Sequence, residues 1–228
     1  MPDEAPGRAP VIAIDGPSAS GKSTTAREVA TRLGFVHLNS GLLYRAITWS
    51  ALRDGWIGAP DFDVRLAGVE LELCPDPPGF HLRVDGERPG PWLQSAEVTA
   101  RVSELSARAL VRERVNAALR TAAGETGVVI DGRDIGTAVF PDAFLKIFLT
   151  ASPRERARRR VAERRQEPAS GTLADEESRL RARDRYDASR DIDPLSLAPD
   201  AIEIDTTELG RGEVVDEIVR RYEARRRA

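Results

Sequence analysis

Cysteine, lysine, histidine and long apolar runs are all scarce in this chain. Its 228 residues contain one cysteine, Cys74, which excludes an internal disulfide framework and is best interpreted as a small apolar strand residue. No apolar run approaches the ~20 residues that are needed to cross a bilayer. The first ten residues combine prolines with mixed charge and lack the apolar segment of a signal peptide. We therefore expect a flexible tail over residues 1–10, no membrane partner and a reducing, cytoplasmic location.

An excess of charge of one sign is also lacking. The 34 basic and 37 acidic residues leave a net charge of -3, which gives the chain no general attraction to nucleic acid. Among the basic residues only Lys22 and Lys146 are lysines. The hydrophobic content of 41% is sufficient for a buried core. We expect one large domain, or one domain that carries an insertion.

Residues 16–23 match the pattern GxxxxGKS and lie between an apolar run and a helical pattern. In this context the glycines let backbone N–H groups point at an anion, and the following helix adds its positive dipole end. A glycine-rich turn with an incidental lysine is disfavoured, because strand, loop and helix occur in the required order. We predict that Lys22 reaches the β- and γ-phosphates of a bound polyphosphate and that Ser23 ligates Mg2+. The predicted phosphate-binding residues are Gly16, Pro17, Ser18, Ala19, Ser20, Gly21, Lys22, Ser23 and Thr24.

Short apolar runs recur along the chain with helical patterns between them, which is typical of parallel strands buried on both faces. These runs lie at 11–14, 35–38, 128–130, 145–149 and 201–204. A helical pattern over Lys22–Leu33 is followed by Gly34 as a stop signal. We therefore predict an α/β fold of three layers, in which helices flank a five-stranded parallel sheet.

Residues 63–96 depart from this alternation. Apolar and polar residues alternate over 69–73 and 80–84, and Asp85-Gly86 predicts a hairpin turn in a small antiparallel insertion. The next stretch, 97–123, predicts one long helix. The polar side of that helix carries Arg101, Ser103, Arg108 and Arg112.

The segment 154–190 is rich in arginine. Interspersed acidic residues neutralise much of its charge, and Tyr186 is its single aromatic residue, so the stacking platforms of a nucleic-acid surface are missing. Turn-forming residues at 167–172 separate two helical patterns. We predict a lid of two helices with a mobile tip that brings arginines over bound phosphates. A plain charged helical hairpin is the alternative.

Four separated blocks, together with residues 155–160 and 204–207, carry a resemblance to a known family. The blocks are IDGPSASGKST at 14–24, SGLLYR at 40–45, IDGRDIGT at 130–137 and RDRYDASR at 183–190. From Val11 onward the chain resembles bacterial cytidylate kinases, which are nucleoside monophosphate kinases of the P-loop class. The resemblance implies Mg2+-assisted transfer of the ATP γ-phosphoryl group to CMP or dCMP. It also implies a kinase domain over 11–228, with a monophosphate-binding insertion at 63–125 and an arginine-rich lid at 154–190.

The same resemblance implies a role for each matching residue. Arg45, Arg133 and Arg190 match the arginines on the acceptor phosphate, and Ser103, Arg112 and Asp134 match the positions that read cytosine. Arg183 and Asp187 match residues near the ribose, and Arg156 and Arg159 match lid arginines that contact the ATP phosphates. The implied catalytic residues are Lys22, Arg133, Arg156 and Arg159, with Ser23 as the metal ligand. The implied substrate-binding residues are Ser40, Arg45, Ser103, Arg112, Arg133, Asp134, Arg183, Asp187 and Arg190.

Four further polar residues receive no site role from the sequence. Asn39 stands where the family often has aspartate, so we leave it outside the predicted site. Asp131 is open to two interpretations, as an outer partner of Mg2+ or as a cap of the loop that follows it. His37 and His81 have no metal-ligand spacing, and we interpret both as structural.

Other functions stay open at this level. A kinase for UMP, AMP or another small acceptor would share the phosphate-binding motif. A GTP-dependent switch is disfavoured because neither lysine lies in an NKxD signature. RNA binding through 154–190 would predict a salt-sensitive affinity. We expect small nucleotides as partners, no nucleic acid, and a monomer.

Overall fold

The computed structural model describes residues 9–76, 78–124, 126–164 and 172–227. The predicted tail over 1–10 and the predicted lid tip at 167–172 therefore lie largely outside the described residues. Within them the chain forms seven strands. These are β1 (Val11–Asp15), β2 (Val36–Asn39), β3 (Leu71–Asp76), β4 (Gly79–Val84), β5 (Val128–Asp131), β6 (Leu145–Thr150) and β7 (Ile202–Asp205).

Five of these strands form one parallel sheet in the order β2-β5-β1-β6-β7. Each of the five corresponds to one of the predicted apolar runs, so the predicted sheet is confirmed. Mainly apolar runs form β1, β5 and β6 because helices cover both faces of the sheet, whereas the edge strand β7 exposes Glu203 and Asp205. The carboxyl ends of β1, β2 and β5 lie side by side, at the edge where open α/β sheets bind their ligands.

Helices cover both faces of this sheet. Within the described ranges they are α1 (Lys22–Leu33), α2 (Ser40–Arg53), α3 (Phe62–Gly68), α4 (Ala96–Leu105), α5 (Ala109–Ala122), α6 (Pro153–Arg164), α7 (Leu173–Ala188) and α8 (Arg211–Arg227). Ile12 and Ile14 of β1 pack with α1 and α8, whereas Val11 and Ala13 pack with α2 and α5. Successive strand residues point to opposite faces, so β1 contributes to both cores. The predicted three-layer α/β fold is confirmed.

The small antiparallel sheet is present, but its turn is not where the sequence predicts it. β3 and β4 pair between Leu71 and Val84 and are joined between Asp76 and Gly79, not at Asp85-Gly86. The Asp85-Gly86 turn exists, with φ of 51° and 77°, yet it only closes a single bridge from Val84 to Glu87. Both turns contain residues that favour reversal, and the local pattern could not rank them. The Pro78 carbonyl accepts a hydrogen bond from the His37 N–H (2.8 Å), which fastens the hairpin to β2.

The single long helix predicted over 97–123 is also wrong, because two helices, α4 and α5, occupy this stretch. The first helix, α4, ends at Leu105, and the Ser106 hydroxyl that follows donates to the Ser103 carbonyl (3.0 Å). Arg112 Nη1 donates to the Ser106 carbonyl (2.9 Å), which satisfies an acceptor that the break exposes. This contact turns Arg112 inward, so a residue predicted on a polar helix face is 1% exposed.

The arginine-rich segment forms the two predicted helices, α6 and α7. A capping box of Thr172 and Asp175 starts α7. The closing motion of this lid stays a prediction, as do the monomeric state and the cytoplasmic location. None of the helices in the described ranges has a stretch long and apolar enough to cross a bilayer.

Candidate active site

The GxxxxGKS loop curls at the carboxyl end of β1 and leads directly into α1. Gly16 has a φ of 144°, and a Cβ at this position would lie 2.0 Å from the Leu149 carbonyl oxygen, so only glycine fits. Ala19 and Gly21 also have positive φ, of 61° and 93°. These turns lead the loop into the first turn of α1, where backbone N–H groups and the positive end of the helix dipole favour an anion. Such an arrangement binds a phosphate group.

Lys22 is the buried cation of this loop. Its Nζ donates to the Pro17 carbonyl (2.6 Å) and to Ser20 Oγ (3.3 Å). Burial lowers the pKa of Lys22 well below its usual value, and the positive charge of Arg133 lowers it further. An ammonium group in these surroundings is stabilised by an approaching anion.

Ser23 belongs to a network of polar side chains that meets at Asp131, the last residue of β5. Ser23 Oγ donates to Asp131 Oδ2 (2.6 Å), and Asn39 Nδ2 donates to Ser23 Oγ (3.0 Å). His37 Nε2 donates to the other carboxylate oxygen, Oδ1 (2.6 Å). This geometry favours the interpretation of Asp131 as an outer partner of a metal site over that of a loop cap.

The sequence did not predict this network, in which His37 and Asn39 both contact Asp131. A role for either residue in the site stays a proposal. Both lie on β2, two positions apart, so their side chains share a face of the strand. Asn39 also stands opposite Asp131 in the parallel register. The period-two pattern could have paired them, but only with knowledge that β2 neighbours β5.

A cleft of about 260 Å³ opens beside the loop and is lined by arginines from five parts of the chain. Arg45 is fixed by the Leu93 carbonyl (2.8 Å) and Thr99 Oγ1 (2.9 Å). Burial lowers the pKa of Arg45, and it lowers the pKa of Arg183 to about 10, with the charge of Arg133 adding to the latter. Of the predicted site residues, this cleft is lined by Ser18, Ala19, Gly21, Lys22, Ser23, Thr24, Ser40, Arg45, Arg112, Arg133, Asp134, Arg183, Asp187 and Arg190.

The carboxylate of Asp187 lies between two of these arginines, Arg133 and Arg190. Its Oδ2 accepts from Arg133 Nε (3.1 Å), and its Oδ1 is 3.8 Å from Arg190 Nη2. Burial leaves Arg183 Nε and Arg190 Nη2 without a hydrogen-bond partner among the described residues. Buried donors of this kind favour an anionic ligand.

Arg160 of α6 lines the same cleft and was not predicted as a site residue. Its Nε is buried without a partner among the described residues, and its Nη1 lies 3.2 Å from Glu163 Oε2. Its positive charge adds to burial in lowering the pKa of Arg45. In a run of three arginines, the sequence alone could not show which one turns towards the cleft.

The far wall of the cleft carries a buried ion pair between Arg112 and Asp134. Burial raises the pKa of Asp134, and the Arg112 charge opposes that rise. The guanidinium of Arg112 lies 5.5 Å from the centre of the Tyr44 ring. Val102 and Ser106 line this wall, whereas Ser103 contributes its carbonyl to the Ser106 hydroxyl. The role of Ser103 in reading a base stays a prediction.

The two predicted lid arginines have different surroundings. Arg156 is 5% exposed and donates to the Ser18 carbonyl of the loop (3.0 Å) and to Asp184 of α7 (2.5 Å), so it joins α6 to both. Arg159 donates to the carbonyl of Thr206 (2.6 Å). Arg159 and Thr206 line a second cavity, of about 770 Å³. Catalytic roles for both arginines stay predictions.

The two cavities meet at the phosphate-binding loop. Both cavities are lined by Gly21 and Thr24, and also by Glu163 of α6. One cavity has a cluster of arginines and a buried ion pair, and the other is bounded by α6 and the segment after β7. The arrangement can hold two ligands with their phosphate groups directed at the same loop.

Comparisons with known proteins agree with this geometry. The family described as cytidylate kinase matches residues 12–224. A cytidylate kinase from Streptomyces griseus is 43% identical over 221 residues, which cover 95% of this chain and 94% of that protein. A bifunctional pantoate ligase/cytidylate kinase from a Synechococcus strain is also 43% identical, but the chain spans only 41% of its length.

Solved structures give a weaker likeness. A shikimate kinase from Acinetobacter baumannii matches with a TM-score of 0.48 and 16% identity, over 95% of this chain and 94% of that one. This likeness is too low to bear on function. The family match, in contrast, covers nearly the whole chain, and the chain belongs to the cytidylate kinase family.

Proposed function

We propose that this chain transfers the γ-phosphoryl group of ATP to CMP and dCMP, giving ADP and CDP or dCDP. The observation that carries the proposal is the meeting of two cavities at one phosphate-binding loop, in a chain of the cytidylate kinase family. The arginine cluster suits a phosphate acceptor, and the buried Arg112–Asp134 pair suits a base with an amine.

The donor nucleotide would place its phosphates in the loop and its base in the second cavity. Backbone N–H groups of the loop and the Lys22 ammonium would then contact the β- and γ-phosphates. Arg159 lines that cavity from α6 and Thr206 from the segment after β7. We propose that the second cavity, on this side of the loop, binds the donor nucleotide and not the acceptor.

The acceptor would lie in the arginine-lined cleft. Guanidinium groups bind phosphate oxygens in pairs, so Arg45, Arg133 and Arg190 would hold the acceptor phosphate. Cytosine has an exocyclic amine where uracil has a carbonyl, and the Asp134 carboxylate would accept from that amine. These contacts would orient the acceptor for in-line attack.

The donor set around Ser23 fits Mg2+. This ion keeps several waters and takes one or two oxygen side chains together with substrate phosphates, so no cage of protein ligands is required. Ser23 would be the direct ligand, and Asp131, 2.6 Å from Ser23 Oγ, would hold a metal-bound water. When bound, Mg2+ would neutralise the charge that develops on the phosphate oxygens.

The remaining chemistry needs positioning rather than proton transfer. The attacking atom is already an anionic phosphate oxygen, so no general base is required. Lys22 and the arginines would stabilise the negative charge of the transferring group.

Turnover of CMP, dCMP, UMP and AMP with ATP tests the proposal. We expect the highest kcat/KM for CMP or dCMP, measured as ADP release in a coupled assay. Equal or greater efficiency on AMP or UMP would overturn the cytosine assignment. Tight GTP binding without turnover of any monophosphate would favour a switch protein instead.

A second test concerns His37. Replacing His37 with phenylalanine removes the hydrogen bond to Asp131, and loss of such an outer contact weakens metal binding by roughly 10–100-fold. We expect H37F to bind ADP almost as tightly as the unmodified chain without Mg2+, and to lose most of the gain that Mg2+ provides. Isothermal titration of ADP with and without Mg2+ measures both quantities.

His81 of the hairpin provides the control for this test. It is exposed, pairs with Asp76 at 2.8 Å and is not among the residues that line either cavity. H81F should therefore keep the full effect of Mg2+. An unchanged effect of Mg2+ in H37F would show that His37 only packs.

A further inference from the structure

Arg112 is held by acceptors from three separate segments of the chain. Its Nη1 donates to the Ser106 carbonyl (2.9 Å), its Nη2 to Asp134, and its Nε to Asp193 Oδ2 (2.8 Å). Its side chain is almost completely buried, so these partners set the plane of the guanidinium. The third partner, Asp193, is not a residue of any motif that the sequence analysis singled out.

Asp193 lies in the segment after α7, three residues beyond Arg190. Its φ is 46°, in the left-handed region that non-glycine residues rarely adopt. The Leu195 N–H donates to the Asp187 carbonyl (2.9 Å), so the segment folds back on the end of α7. A strained backbone of this kind persists only where the surroundings hold it, and the contact with Arg112 is such a restraint.

The charge balance at this wall depends on Asp193. Arg112 and Asp134 alone would be a neutral pair. The guanidinium would then direct its hydrogen bonds at the same carboxylate that has to accept from the base. With Asp193 the group of three carries one net negative charge, and Arg112 divides its donors between two carboxylates. Asp134 then keeps the capacity to accept from an amine, whereas a carbonyl at the same place would bring a second acceptor towards a carboxylate.

We propose that Asp193 is a positioning residue that sets the preference for cytosine, by holding Arg112 and so keeping Asp134 available to the base. This inference rests on the proposed function. The segment that carries Asp193 begins just after Arg190, which is proposed to bind the acceptor phosphate. Loss of the contact should therefore raise KM for CMP more than it lowers kcat.

Two variants separate the carboxylate from the backbone turn. D193G tolerates the positive φ and removes the carboxylate, whereas D193N also tolerates this φ and keeps the shape without the charge. We expect D193G to lower the ratio of kcat/KM for CMP over UMP about tenfold, the scale for losing a hydrogen bond to a charged group. D193N should lower the ratio as well, since it removes the negative charge.

Asp191, an exposed carboxylate two residues earlier, provides the matched control, and D191N should keep the ratio of the unmodified chain. A wild-type ratio in both D193G and D193N would overturn the inference, because the turn alone would then be sufficient. An equal loss of kcat/KM for CMP and for UMP would also overturn it, because such a loss indicates general damage to the fold. Failure of the unmodified chain to phosphorylate CMP would instead overturn the proposed function, so the two failures are distinguishable.

Discussion

Replacing Lys22 with alanine is expected to lower kcat by about 10²–10³-fold, the usual effect of removing one preorganised donor to a developing negative charge. Lys22 is the buried cation of the phosphate-binding loop, and among the described residues its Nζ donates to neutral oxygens of the loop itself. Because the alanine variant also loses the charge repulsion between Lys22 and Arg133, we expect it to fold. Initial rates at saturating ATP and CMP measure the change, and a melting curve reports the stability.

The other lysine of the chain offers a matched control. Lys146 is equally buried, but its Nζ contacts the Pro141 carbonyl and Asp200 (2.7 Å), and it is not among the residues that line either cavity. K146A should therefore lower the melting temperature and keep kcat, which is the opposite pattern to K22A. A kcat of K22A close to that of the unmodified chain would contradict the role of Lys22.

Replacing Asp134 with asparagine is expected to lower the ratio of kcat/KM for CMP over UMP by about 10–100-fold, since a base-specific contact contributes ~1–3 kcal/mol of discrimination. Asn keeps the shape but can donate through its amide, so it can pair with the uracil carbonyl. Rates with each acceptor, measured separately, give the ratio. Much of the change should come from a gain on UMP.

Asparagine is preferred here to alanine. D134A should also lose discrimination, but it removes a carboxylate from the fully buried Arg112, and breaking such a pair costs about 3–5 kcal/mol of stability. The remaining partner, Asp193, would offset part of that loss. Glu113, an exposed neighbour of Arg112 on α5, supplies the control, and E113Q should keep the ratio. If D134N kept the original preference, cytosine recognition would lie elsewhere in the cleft.

Features that depend on local sequence were predictable. The phosphate-binding loop needs glycine at position 16, where φ is positive and a Cβ would meet Leu149, and the GxxxxGKS pattern states this directly. The helix Lys22–Leu33 follows from periodicity within one segment, and the five strands of the parallel sheet follow from short apolar runs. Local pattern failed where two signals competed, at the hairpin turn and at the break after Leu105.

The composition and local patterns of this sequence therefore determined the sheet, the loop and the family to which the chain belongs. Only the tertiary structure decided which side chains act together. It paired His37 with Asp131 across 94 residues and Arg112 with Asp193 across 81, and it turned Arg160 towards the cleft and Arg156 to the Ser18 carbonyl of the loop. The reason is that periodicity shows which face of an element is buried, whereas the partner across that face depends on how distant segments pack.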